Sequence, residues 1–245
     1  MMIDFQISVH ESLGSTQDEC ARLAREGAAE GSVVQAREMT TGRGRHGRVW
    51  HAPRGNLYLS ILLRPDENVQ RAAQVSFVAA VAAAEAITPL MQNTESLQLK
   101  WPNDVLIQER KCCGILLESE LDQNQQLTGL ILGIGINISS APEGTTTLHE
   151  AAKREAGTLD ADMVRDHLLA ALAQKYEIWK SEGFSLIREA WLARAFRLGQ
   201  EISVKYGRDQ VNGIFEGLDG DGVLMLKTGN KLLKIPAGDV FWENS

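Results

Sequence analysis

The sequence predicts an α+β fold: a mixed sheet with flanking helices, followed by a small C-terminal β-barrel. Three observations predict it. Short alternating apolar runs recur through residues 5–138 with helical stretches between them. A long amphipathic segment then covers 160–182, and beyond Gly199 the pattern changes to short strands separated by glycine- and aspartate-rich turns. The expected division is therefore a domain over 1–195 and a second over 196–245.

Phe5, Ile7 and Val9 alternate as a strand, and Thr16 with Glu19 reads as a capping box opening a helix that ends at Gly27. Residues 33–37 look extended. Leu57, Leu59, Ile61 and Leu63 alternate in the next strand, which Pro65 closes, and an alanine-rich helix follows over 69–87, stopped by Pro89. Four further strands are expected over 97–101, 104–108, 113–121 and 127–138, the last two joined by a polar turn at 122–125. In the 160–182 helix, Val164, Leu168, Leu172, Tyr176 and Trp179 form one stripe, expected to be core. A helix over 184–195 continues it. The C-terminal strands are expected over 202–206, 211–216, 223–227, 232–235 and 240–242. Asp219 and Asp221 faintly resemble a calcium loop, but Asn230 stands where the bidentate glutamate belongs, so a hairpin is expected.

The chain has 245 residues and a net charge of −7, which argues against a broad nucleic-acid-wrapping face. Cys20, Cys112 and Cys113 fit neither a disulfide framework nor zinc-ligand spacing, so reduced thiols are expected. The opening residues carry no basic leader region, and the apolar run 75–84 is interrupted by Glu85. The expected location is cytoplasmic, with no membrane and no nucleic acid among the partners.

Against that acidic background one stretch is concentrated in positive charge: Gly42, Arg43, Gly44, Arg45, His46, Gly47 and Arg48, trailed by Trp50. Glycine lets backbone approach a ligand, and guanidinium forks bind carboxylate and phosphate oxygens bidentately. The loop is thus suited to a small anion. Its glycines have dinucleotide-fingerprint spacing, and Val49 extends them to a kinase glycine loop, but a strand rather than a helix follows and no HRD or DFG triplet occurs. The P-loop fails as well, because Arg48 and Val49 replace its Lys-Ser/Thr pair.

A second motif is Lys100, Trp101, Pro102, Asn103 and Asp104, followed by Arg110, Lys111 and Gly114. With the arginine loop, Ser15-Thr16 and the run Gly55, Asn56, Leu57, Tyr58, Leu59, Ser60, it closely resembles the biotin protein ligases. The resemblance covers nearly the whole chain, including a C-terminal part similar to that family's SH3-like barrel. It implies the biotin/lipoate ligase catalytic fold, itself similar to class II aminoacyl-tRNA synthetases.

The resemblance also implies a reaction. Biotin and ATP form biotinoyl-5′-AMP and pyrophosphate, and the biotinoyl group then passes to one lysine of biotin carboxyl carrier protein, a subunit of acetyl-CoA carboxylase. ATP is co-substrate, Mg²⁺ the activator, and no tightly bound prosthetic group is implied. Ser15, Thr16, Gln17, Met39, Arg43, Gly44, Arg45, Lys111 and Gly114 are the biotin-side residues so implied; Gly42, Arg48, Trp50, Asn103, Asp104 and Asn137 are the ATP side. Arg43, Arg45, Lys111 and Asp104 are the implied catalytic set, Asp104 serving as Mg²⁺ ligand or as the group that orients the acceptor amine. Trp50 and Trp101 are equally readable as core aromatics, and Asp104 as a turn cap or a partner of Lys100.

Five positions depart from the family pattern. Met39 stands in place of glutamine, Gln17 of asparagine, His46 of arginine, and Cys112-Cys113 of an aliphatic-alanine pair. Some relatives also repress transcription through an N-terminal helix-turn-helix domain; fourteen residues before Ser15 leave no room for one, so no repressor function is expected. The alternative within the same fold is a lipoate or octanoate ligase or transferase. Sheet edges leave a homodimer open as a partner.

Overall fold

A computed structural model of the chain describes residues 2–152 and 159–242. Its first sheet contains β1 (Gln6–His10), β2 (Ser32–Ala36), β3 (Leu57–Leu63), β4 (Leu97–Lys100), β5 (Asp104–Ile107), β6 (Arg110–Leu121) and β7 (Leu127–Ile136). Their order is β1-β2-β3-β7-β6-β5-β4. Only β1 and β2 run parallel, joined by the crossover helix α1 (Thr16–Arg25), so the sheet is mixed as expected. Every residue of β3 is buried, as befits an interior strand flanked by β2 and β7, whereas Ile7 and Val9 on the edge strand β1 remain exposed.

The helices α2 (Val69–Ala72), α3 (Val75–Ile87), α4 (Leu148–Ala151), α5 (Ala161–Glu182) and α6 (Phe184–Leu192) complete this part. α3 is apolar all round because it is buried against both the sheet and the pair α5–α6. The helical run Val69–Leu90 is long and apolar enough to cross a membrane, but most of it lies inside the core. The single helix expected over 69–87 is in fact two. The backbone ladder tightens to i→i−3 bonds at Gln74, Ser76 and Phe77, and the Gln74 side chain turns to accept the Trp179 indole N–H at 2.9 Å. The α5 stripe of Val164, Leu168, Leu172, Tyr176 and Trp179 is core, as its spacing indicated.

The capping box also needs correction. Ser15, not Thr16, is the N-cap residue of α1, and it makes no side-chain cap bond. Thr16 Oγ1 lies 3.6 Å from Met39 Sδ and 2.9 Å from Ser60 Oγ, while Glu19 pairs with Arg22. Partners from distant strands have outcompeted the local cap.

A second, antiparallel sheet holds β8 (Glu201–Tyr206), β9 (Asp209–Leu218), β10 (Leu224–Thr228), β11 (Lys231–Ile235) and β12 (Asp239–Phe241), in the order β11-β10-β9-β8-β12. The 219–222 segment is a hairpin turn. Asp219 Oδ1 accepts the backbone N–H groups of Asp221 and Val223, and no metal-holding cluster occurs among the described residues. Edge-on aromatic contacts fuse this sheet to the helices: Phe77 to Phe184 (5.4 Å) and Trp191 (5.7 Å), and Trp191 to Phe215 (6.4 Å). Leu99 of β4 exchanges backbone hydrogen bonds with Arg194 and Phe196, so the second sheet is carried against the end of the first. All three cysteines are free and buried, and burial pushes the Cys20 and Cys113 thiols up to about 12.

Leu172→Ala, in the fully buried stripe, is expected to lower unfolding free energy by about 2–5 kcal/mol in denaturant titrations. Leu186→Ala, at a half-exposed position, should stay within about 0.5 kcal/mol.

Candidate active site

A cavity of about 360 Å³ opens where the start of α1, the arginine loop, strands β6 and β7, the β4–β5 turn and β12 meet. Fourteen of the fifteen site residues expected from sequence line it; Gly42 does not. Gly42 serves the loop's geometry instead. A Cβ there would fall 2.5 Å from the Trp50 carbonyl oxygen, and its own carbonyl accepts the Trp50 N–H at 2.9 Å. Gly44 N–H donates to the Arg48 carbonyl at 2.7 Å, so the loop is a closed hairpin, with His46 and Gly47 at its tip in the left-handed region.

Each loop arginine is held by oxygen acceptors. The Arg43 guanidinium donates to Asp18 (2.6 Å), to both Glu118 oxygens (3.0 and 3.3 Å) and to Ser15 Oγ (3.3 Å). Burial works against its charge, but the bonds from Glu118 and Asp18 outweigh burial and raise its pKa. Arg45 reaches across the cavity mouth to Asn103 Oδ1 (3.2 Å), the Gly238 carbonyl (3.4 Å) and Asp239 (3.7 Å). There burial dominates and lowers its pKa, opposed by Asp239 and Asp104. Arg48 also pairs with Asp239. The loop is thus stapled to the first sheet at one end and to β12 of the second at the other.

The second motif forms the facing wall. The Trp101–Pro102 peptide bond is cis. Asn103 donates its side-chain N–H to the Ile115 carbonyl while accepting from Arg45, which locks its amide. Asp104 pairs not with Lys100 but with Lys111, at 2.6 Å. Lys100 sits 4.5 Å from the centre of the Trp242 ring, and burial lowers its pKa. Trp101 is a core residue whose indole N–H donates to the Gly222 carbonyl. Trp50, by contrast, lies on the cavity floor. Gly114 and Gly135 are register partners on β6 and β7, and a Cβ on either would fall within 2.8 Å of the Trp50 ring. Lys111 Nζ stands 5.2 Å from the same ring centre.

Around Thr16, Gln17 and Ser60 the cavity lining is polar. Ser60 Oγ lies within hydrogen-bond reach of Thr16 Oγ1 (2.9 Å) and Gln17 Oε1 (2.8 Å). Gln17 Nε2 donates to Glu118 (3.0 Å) and to the Ile131 carbonyl (3.2 Å), its side chain lying over Gly133. Met39 Sδ accepts from the Thr16 N–H at 3.4 Å, a weak acceptor at the helix start. Asn137 is buried and donates to the Thr146 carbonyl.

Sequence reasoning did not single out Ser60, Glu118, Gly133, Gly135 or Asp239 as site residues. Ser60 stood inside a motif already noticed, whereas Gly133 and Gly135 lay within a stretch read only as a strand. Asp239 carried no local signal, being 191 positions from its partner Arg48. Chemically, the arrangement offers a cationic mouth of Arg45, Arg48, Lys100 and Lys111, an aromatic floor, and a hydrogen-bonding recess.

The family described as the biotin/lipoate A/B protein ligase family matches residues 10–137, and the biotin protein ligase C-terminal domain matches residues 198–242. A biotin–(acetyl-CoA-carboxylase) ligase of Paracoccus denitrificans is 38% identical, over 93% of this chain and 97% of that protein. The bifunctional ligase/repressor BirA of Bacillus subtilis is 34% identical over 94% of this chain and 72% of its own length. Among solved structures, the biotin protein ligase from Aquifex aeolicus in complex with biotin and ATP superposes with a TM-score of 0.80 at 29% identity, covering 96% of this chain and 97% of that one.

Asp239→Ala is expected to free the second staple without unfolding either sheet. Trypsin should then cut at Arg45 and Arg48 several-fold faster than in the parent, with an unchanged circular dichroism spectrum; an unchanged cutting rate would remove the staple from the account.

Proposed function

Because the chain belongs to the biotin/lipoate A/B protein ligase family, we propose that it is an ATP-dependent biotin protein ligase. It forms biotinoyl-5′-AMP with release of pyrophosphate and transfers biotin to a lysine of biotin carboxyl carrier protein. The observation that carries this reading is the convergence of Arg45, Arg48 and Lys111 on one cavity whose far end is a recess of Thr16, Gln17 and Ser60. Residues 1–195 are assigned the catalysis and 196–245 the second unit, which lends Asp239 to the mouth; residues 1, 153–158 and 243–245 lie outside the described residues.

In the first step a biotin carboxylate oxygen attacks the α-phosphorus of ATP. A carboxyl–phosphate bond forms, the α–β bridging bond breaks, and pyrophosphate leaves with the electron pair. Two unit charges about 4 Å apart repel by about 4 kcal/mol at an effective dielectric near 20. Arg45, Arg48 and Lys111 offset that repulsion because they are positioned beforehand. Arg43 exchanges its grip on Asp18 and Glu118 for substrate oxygens. A Mg²⁺ ion would find one carboxylate, Asp104, beside the cations of the cavity and would take its remaining ligands from substrate and water; it would supply neutralisation of phosphate charge.

In the second step the carrier lysine attacks the acyl carbon, an amide forms, and AMP leaves. The amine must lose a proton, and orienting it is the role assigned to Asp104, a reading supported by its carboxylate lining the cavity beside Lys111. The mixed anhydride is destroyed by water, so a loop stapled over the mouth protects it. The recess favours biotin over a lipoyl group: a ureido ring has N–H and C=O groups to match hydroxyls and an amide, whereas a dithiolane has none. We place the reaction in the cytoplasm, and a homodimer contact at the free edge of β1, where Ile7 and Val9 are exposed.

An apo carrier domain incubated with this protein, ATP and Mg²⁺ should gain one biotinoyl mass with biotin and none with lipoate; the reverse pattern would select the lipoyl alternative. Lys111→Ala should cut pyrophosphate release by about 100- to 1,000-fold with the fold intact. Arg45→Gly should release biotinoyl-5′-AMP faster than the parent in a filter-retention assay, and equal retention would deny Arg45 a closing role.

A further inference from the structure

Glu118 stands outside the cavity lining, yet it touches both the recess and the arginine loop. Gly114 and Leu116, on one face of β6, line the cavity, and Glu118 is the next residue on that face. Its Oε2 accepts from Gln17 Nε2 at 3.0 Å and from Arg43 Nη2 at 3.0 Å, while Oε1 accepts from Arg43 Nε at 3.3 Å. One carboxylate thus serves residues that are 101 and 75 positions away from it in the chain.

The Gln17 amide is tightly constrained. It is buried and lies over Gly133, where a Cβ would stand 2.6 Å from its Oε1. Its two N–H groups face atoms that can only accept, Glu118 Oε2 and the Ile131 carbonyl, so Oε1 is turned toward Ser60 and must take the Ser60 hydroxyl proton at 2.8 Å. Ser60 Oγ is then left to accept from Thr16 Oγ1, 2.9 Å away. The order of donors and acceptors in the recess therefore runs back to a carboxylate that lies behind it. Because that acceptor is ionised, its bond to Gln17 is the stronger of the two that the amide donates.

We propose that Glu118 is a positioning residue that fixes the Gln17 amide, and through it the hydroxyls of the recess, while its remaining lone pairs hold Arg43 in the loop. It acts through these two side chains and not on the substrate. The proposal rests on the reading of the recess as the seat of the biotin ring.

Biotin methyl ester keeps the ring and lacks the anionic carboxylate, so it reads the recess apart from the loop arginines. Full-length parent and variants are titrated with it by calorimetry, and trypsin digestion of the ligand-free proteins reads the loop at Arg43. Glu118→Leu should bind the ester about tenfold more weakly and be cut several-fold faster. Glu118→Gln keeps a carbonyl oxygen for Gln17 but turns an N–H toward Arg43, so it should be cut faster while holding the ester almost as tightly as the parent. In a Gln17→Leu background, Glu118→Leu should cost the ester nothing further, because the bond it removes is already gone. An equal loss in that background, undiminished ester binding by Glu118→Leu, a loss by Glu118→Gln as large as the leucine's, or unchanged cutting in both variants overturns the proposal. A parent that binds biotin but not the ester also overturns it and leaves the ligase reading intact, whereas a parent that binds neither overturns both.

Discussion

Three guanidinium groups within seven residues repel one another, so the loop that carries them cannot close over a cavity unless anions are supplied from outside it. That constraint organises this protein. Asp18 and Glu118 meet Arg43, while Asp239 meets Arg45 and Arg48. The first pair of acids belongs to α1 and β6, the third to β12, so the loop is closed only when both sheets are in place. The aromatic contacts of Phe77, Trp191 and Phe215 that hold the second sheet to the helices therefore have a functional consequence some distance away. Substrate carboxylate and phosphates carry the same charge as these acids, and the loop is suited to exchange one set of anions for the other.

The cavity is graded in polarity along its length. Cations stand at the mouth, where charge is brought together, and a small hydrogen-bonding recess lies at the far end. Between them the glycines of β6 and β7 leave room for the Trp50 ring on the sheet surface. A single extra methyl group at Gly114 or Gly135 would occupy the space of that ring. Close approach of backbone to an aromatic floor is thus as much a part of the site as the charged groups.

Much of this was legible in the sequence. Alternation at Leu57, Leu59, Ile61 and Leu63 located a fully buried interior strand, and the stripe from Val164 to Trp179 located the core face of α5, because local period directly reflects a buried face. The glycine–arginine run and the segment from Lys100 to Asp104 identified the residues that converge, since both are dense in chemistry over a short span. Long-range partnership was not legible. Thr16 was read as a cap because Glu19 follows it, but Ser60 and Met39 take its hydroxyl. The alternative reading of Asp104 as a partner of Lys100 is not met, because its carboxylate lies against Lys111. Asp239 sits in an ordinary short strand, and nothing near it announces that its carboxylate completes a loop almost two hundred residues away.

The central claim, that carboxylates hold the arginine loop closed until substrate anions replace them, is tested most directly by amide hydrogen exchange over residues 42–50. In a variant carrying Asp18→Asn, Glu118→Gln and Asp239→Asn, those amides should exchange much faster than in the parent, and biotin with a non-hydrolysable ATP analogue should restore slow exchange. Exchange as slow as the parent's without ligand, or fast exchange that ligands leave unchanged, would contradict it.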